Sequence, residues 1–207
     1  MKYIYNLFLL TILGIGFFSC QDDETSNISQ ITYYANIELE GDPYLVLQVG
    51  DTYEEAGAVA IAGDETLEVS ISGDIDTSTP GVYNITYSAM NDDGYSSSKS
   101  RTILVTSEDI SDVDLSGEYQ GSGFGNQVAT VTKLGEGYYF CNKGLASSNN
   151  VPIYFYHLGG NEIIVPGNSS NFGWVESESA TLTADGFEWV LNVECCGLFG
   201  PITYVKL

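Results

Sequence analysis

Alternation with a period of two, cut every few residues by turn formers, constrains this chain more than any other feature. In "VYNITYSA", residues 82–89, Tyr83, Ile85, Tyr87 and Ala89 fall on one face and polar residues on the other, the pattern of a strand with one buried side. "TLEVSI" does the same with Leu67, Val69 and Ile71, "YLVLQV" with Leu45, Leu47 and Val49, and "RTILV" with Ile103 and Val105. Gly, Asn and Asp interrupt every stretch of helical length, so no 3.6-residue stripe survives. The expected fold class is all-β, and the first region reads as a small two-sheet sandwich.

Two polar breaks divide the chain. "QDDETSNIS" after Cys20 has no apolar periodicity and reads as a flexible tether. "TSEDISDVD", Thr106 to Asp114, separates two strand-rich regions. The expected organisation is a signal peptide over 1–19, a modified cysteine with its acidic tether over 20–30, a sandwich over 31–106, a linker over 107–112 and an antiparallel β domain over 113–207, itself a sandwich or barrel-like. The leader has Lys2, then an apolar run from Tyr3 to Phe18, then Ser19. That run is short for a membrane span, which needs roughly 20 residues and basic flanks, and it is followed by acids. It suits a cleaved secretory signal.

Charge removes several functions. With 28 acidic and 6 basic residues the net charge is −22, a field that repels nucleic acid, whose recognition needs clustered Lys and Arg. It repels anionic lipid as well, so membrane attachment calls for acyl chains rather than a basic face.

Three stretches resemble known families. "GFFSCQDDE" is similar to the lipobox of bacterial lipoproteins, in which Cys20 would be lipidated; Phe17 and Phe18 depart from its usual aliphatic and small residues, as in the looser Bacteroidetes version. The acids after Cys20 resemble the export signal that sends such lipoproteins to the outer face of the outer membrane. The run from Val49 to Val105, with Gly50, Asp51, Tyr53 and Gly57, the "DTSTPGVYNITY" block and the closing Arg101-Thr102, resembles the bacterial Ig-like domain found in Cry22Aa-type proteins and many surface proteins. That resemblance implies an Ig-like β-sandwich acting as spacer or binding module. The "DLSGEYQGSGFGNQVATVTKLGEGYYF" opening resembles the C-terminal β domain of BT_2262-like Bacteroidetes surface lipoproteins, often encoded near polysaccharide-utilisation genes. It implies an accessory role beside other outer-membrane lipoproteins or transporter components.

Chemistry is sparse. His157 is the lone histidine, and its parity with Ile153 and Phe155 makes it structural rather than a catalytic base. "GSGFG", residues 121–125, lacks the Walker lysine and a following helix. "NDDG" and "DVD" lack the spaced ligands of a calcium loop, and no zinc set appears, so neither cofactor nor metal is expected and no enzyme is read. "TLTADGFEWVL" reads as a hairpin turning at Asp185-Gly186, with Ala184 opposite Phe187 and Leu182 opposite Trp189; Trp189 joins Phe187, Leu191 and Val193 on a core face. Cys195 continues that inward parity, so a disulfide from Cys141 to Cys195 or Cys196 is expected, with a vicinal 195–196 bridge as rival and free thiols as the remaining alternative. Trp174 lies among Gly, Asn and Ser, and Tyr154 and Tyr156 lie opposite His157. These three rings form the candidate platform for a neutral polysaccharide or oligosaccharide. The functional expectation is a surface-exposed lipoprotein that binds glycan without cleaving it; the alternative is a structural or protein-docking subunit of an outer-membrane complex.

Overall fold

The computed structural model describes residues 31–123, 125–148 and 151–207. The leader and tether over 1–30, including Cys20, and Phe124 of the glycine run lie outside the described residues. Every regular element described is a strand, and residues 34–207 form one compact unit.

The N-terminal half is a sandwich of two sheets. β1 (Asn36–Leu39), β3 (Ala58–Ala62) and β4 (Glu65–Leu67) make one; β2 (Tyr44–Gln48), β7 (Ser96–Thr106), β6 (Gly81–Met90) and β5 (Ser70–Ser72) make the other, in that order. β2 runs parallel to β7, whereas the long β6–β7 ladder is antiparallel. Ile37, Ala60, Ile85, Tyr87, Ala89, Ile103 and Val105 fill the space between them, as the alternation of β6 and β7 requires. "TLEVSI" is not one strand: Leu67 ends β4 in the first sheet and Ser70 begins β5 in the second. The change of sheet resets the parity, and Ile71 is 50% exposed.

A buried cation ties this half together. Arg101 is 1% exposed; it pairs with Glu55, donates to the Tyr87 hydroxyl at 2.7 Å and the Asp42 carbonyl at 3.0 Å, and also reaches the Glu40 carbonyl. The Glu55 carboxylate accepts further bonds from the Tyr53 and Tyr87 hydroxyls and, at 2.7 Å, from the Gly57 N–H. Burial alone would raise the Glu55 pKa, but these hydrogen bonds and the guanidinium outweigh it and hold the carboxyl at about 2. A charge this well paired is tolerated inside, whereas either partner alone would not be.

The C-terminal half is a closed barrel of eight strands. β8 (Gly117–Ser122), β9 (Val128–Gly135), β10 (Tyr138–Cys141), β11 (Ile153–Gly159) and β12 (Glu162–Ile164) meander up and down; β14 (Gly173–Thr183), β15 (Gly186–Val193) and β16 (Gly197–Lys206) continue it. β16 pairs back on β8, and Glu162 opposite Thr181 closes β12 on β14. Closure leaves no open edge in the ring, and short β13 (Asn168–Ser170) is appended to β14. Inward side chains alternate along each strand and form one aromatic core. Phe187 stacks on Tyr204 at 4.6 Å and touches Trp189 at 4.7 Å and Tyr119 at 5.0 Å. Trp189 is fully buried and its Nε1–H donates to the Gly144 carbonyl at 2.8 Å, so the core takes its ring without leaving a polar atom unpaired.

The β14–β15 hairpin departs from the sequence reading by two residues. Leu182 faces Phe187 and Thr183 faces Gly186, so Ala184 and Asp185 form the loop. Gly186 belongs to the strand: a Cβ there would lie 1.9 Å from the Tyr204 carbonyl oxygen on β16. Close approach of backbone, not turn conformation, demands that glycine. The shift is even, so the inward face keeps Phe187, Trp189, Leu191 and Val193.

A third apolar cluster joins the halves. Leu104 with Tyr44, Val46 and Val82 on the sandwich meets Ile110, Val113, Tyr138, Tyr156, Leu158 and Ile164. The polar break over 107–112 is pinned to β11, with Ser107 N–H on the Leu158 carbonyl at 2.6 Å and the Glu108 carboxylate accepting from Gly160 N–H at 2.6 Å.

Candidate functional site

Where β14 begins, the barrel wall carries an exposed aromatic among acids. Val175 points inward and is fully buried, so Trp174 and Glu176 point out. Register then adds neighbours: Asn192 on β15 lies opposite Glu176, and Leu198 on β16 lies opposite Asn192. Trp174, Glu176, Asn192 and Glu194 line a shallow concavity of about 470 Å³, within the range of small-ligand sites.

Hydrogen bonds hold the ring. Trp174 N–H donates to the Glu194 carboxylate at 2.8 Å, its Nε1–H donates to Glu176 at 3.3 Å, and its carbonyl accepts from Glu194 N–H at 2.9 Å. Two glycines make the room. Gly167 has φ +101° and a Cβ there would lie 2.6 Å from the indole; Gly173 has φ +90° and a Cβ would lie 2.6 Å from the Glu194 carboxylate. One indole face therefore rests on bare backbone, while 48% of the residue remains exposed. A flat apolar ring bordered by carboxylate and amide groups can stack on a sugar face while its neighbours accept from hydroxyls or an ammonium.

Of the three rings expected to share a platform, Trp174 and Tyr154 are exposed and Tyr156 is packed away. Tyr154 is 38% exposed and leans on Phe140 at 5.1 Å; Tyr156 is 9% exposed and stacks on Tyr138 at 4.6 Å inside the cluster between the halves. Among the described residues no ring contact links either tyrosine to Trp174. Tyr156 is thus corrected from binding residue to packing residue, because the stretch of β11 around Tyr156 and Leu158 packs against the sandwich, whereas Tyr154 on the same face stays exposed. Glu176, Asn192 and Glu194 escaped the sequence reading. Glu176 was reachable as the i+2 neighbour of Trp174 on one strand face, but Asn192 needs the cross-strand register.

The cysteines also differ from expectation. Cys195 and Cys196 are bonded to each other, and Cys141 is free. β15 ends at Val193, so the inward parity stops there and Cys195 sits in the exposed turn before β16. Cys141, fully buried on β10, lies between Val131 and Ile153, and burial pushes its thiol up to about 12. His157 is buried on the inner face, with Nε2 at 3.0 Å from the Gly160 carbonyl and no partner at Nδ1. Among the described residues no cluster of His, Cys, Asp or Glu gathers as a metal site.

In the sandwich, Tyr53, Gly57 and Arg101, prominent in the sequence, converge on Glu55. Residues 37–105 match the family model for the bacterial surface protein Ig-like domain. This Ig-like domain occupies a third of the chain. Over 84% of this chain and 100% of the other, the protein is similar to the lipoprotein BT2262 from Bacteroides thetaiotaomicron, at 23% identity and a TM-score of 0.39. It is also similar to two structures of ZmpB from Clostridium perfringens. One contains the M60 catalytic domain with CBM51-1 and CBM51-2 (17% identity, 86% of this chain, 21% of that one, TM-score 0.33). The other contains CBM51-2 in complex with GlcNAc and INT domains (18% identity, 83% and 43%, TM-score 0.32). No curated protein matches the chain. All three TM-scores lie below 0.5.

Proposed function

We propose that the protein is a surface lipoprotein, anchored through Cys20 to the outer membrane and facing outward, whose barrel binds a neutral or amino-bearing glycan without cleaving it while the Ig-like domain acts as spacer. The observation that carries this reading is the half-exposed Trp174 laid on Gly167 and fixed at both N–H groups by Glu176 and Glu194. The ring is preorganised, so stacking costs little side-chain entropy on binding. Acidic neighbours and a net charge of −22 disfavour sulfated and uronic-acid polymers over long range. Each glutamate already commits an oxygen to Trp174, a positioning role rather than that of a free acid–base pair. Single-site affinity is weak, and many anchored copies on one polymer supply avidity.

The test is electrophoresis of the soluble chain, residues 21–207, through gels holding individual polysaccharides. Retardation by at least one neutral polymer and by no sulfated one is the expected result. Retardation by none, with co-purification of another envelope protein, would establish the docking-subunit alternative. Cys20→Ala should move the protein from the envelope to the soluble fraction; unchanged envelope retention would refute the anchor.

A further inference from the structure

Next to Trp174 the barrel end opens into a second, different concavity. It measures about 180 Å³ and its lining is almost wholly apolar. Leu145, Val151 and Val193, all buried, line it together with Phe172, Phe199 and the Cys195–Cys196 disulfide. The bond between neighbouring cysteines removes two S–H groups and presents joined, polarisable sulfurs as an apolar wall. Ser147 adds a polar side chain to the lining.

This hole and the Trp174 face are lined by neighbouring residues of the same two segments. Phe172 precedes Trp174 by two residues, Cys195 follows Glu194, and the two segments are stitched by Glu194 N–H on the Trp174 carbonyl at 2.9 Å and Cys195 N–H on the Phe172 carbonyl at 3.4 Å. The hydrogen bonds between these segments hold the apolar recess beside the segment that carries the indole. Enclosed apolar cavities of about 150 Å³ accept benzene; the recess, at about 180 Å³, is of the size for one such group, and its apolar lining disfavours a sugar ring with its hydroxyls.

We propose that the recess between Phe172, Phe199 and the Cys195–Cys196 disulfide binds one compact apolar group of about benzene size, carried as a substituent by the sugar on Trp174. This rests on the glycan reading of Trp174 for what carries the group, not for the recess itself. The preferred ligand is then a glycan bearing an aryl or branched acyl substituent rather than the bare polymer.

Two titrations separate the claims. Fluorobenzene added to methyl-labelled protein should shift the Leu145, Val151 and Val193 methyl resonances at one saturable site; if those methyls stay still up to its solubility limit, the proposal is overturned and the Trp174 reading is untouched. Phenyl β-D-glucopyranoside should bind at least about tenfold tighter than methyl β-D-glucopyranoside, and in Phe172→Ala that ratio should collapse toward one. Equal affinity of the two glucosides in the wild type would overturn the link between recess and sugar. Fluorobenzene binding with neither glucoside perturbing Trp174 would uphold the recess and count against the Trp174 reading.

Discussion

The two halves of this molecule solve the same problem, closing β-sheet around a core, by opposite means. The Ig-like domain leaves its sheets open and fixes them with a buried charge, Arg101, satisfied by Glu55, two tyrosine hydroxyls and backbone carbonyls. The barrel pairs its ring of strands end to end and fills the interior with Tyr119, Phe155, Phe187, Trp189 and Tyr204. Both halves have an apolar core, but only the first adds to it a set of directional bonds that depends on protonation.

The largest effect that would break this contrast lies in the barrel. Trp189→Ala should destabilise it by about 3–5 kcal/mol, as expected for truncation of a fully buried aromatic, read as the loss in urea midpoint at unchanged slope. A cost below about 1 kcal/mol would mean that the aromatic core is not what holds the ring.

Acid should act on the other half. The Glu55 carboxyl sits at about 2 against an ordinary 4.5, a depressed folded-state pKa. Its stabilisation is therefore complete above about pH 4.5 and is lost as pH falls toward 2. The loss is on the order of 2–3 kcal/mol, and Glu55→Gln should flatten that part of the stability–pH curve. An unchanged acid limb in Glu55→Gln would remove Glu55 from the account.

Reducing the disulfide should matter least for stability. A vicinal bridge closes so short a loop that it contributes about 1 kcal/mol in the chain-entropy model, against about 4 for the 55-residue loop of a Cys141 linkage. A melting-temperature drop of many degrees on reduction, or a non-reducing peptide map joining Cys141 to either partner, would contradict the observed pairing.

Much of both halves was legible because strand parity is local. Ile85, Tyr87, Ile103, Phe187 and Trp189 are buried where alternation put them. What failed depended on the partner strand or on where a strand stops. Gly186 looks like a turn glycine but is a contact glycine, so the hairpin register moved by two. "TLEVSI" alternates perfectly yet changes sheet at Glu68, which no single-strand pattern reveals. Ile110, alone among polar residues, is 2% exposed because the break it lies in is pressed between the halves. Of the wall site, Trp174 was visible from its polar surroundings, but Asn192 and Glu194 join it only through register, and Tyr156 left it because it packs against the sandwich.

The most direct measurement of the central claim is the affinity-gel comparison of Trp174→Ala with the wild type on a neutral polysaccharide that retards the latter. Loss of most of the retardation, at least about tenfold in apparent affinity, with the melting temperature held within about 1 °C is the expected result for a half-exposed ring that stacks on ligand and supports no core. Equal retardation of the two proteins would contradict it, and unfolding of the variant would show that Trp174 belongs to the barrel's structure instead of its binding face.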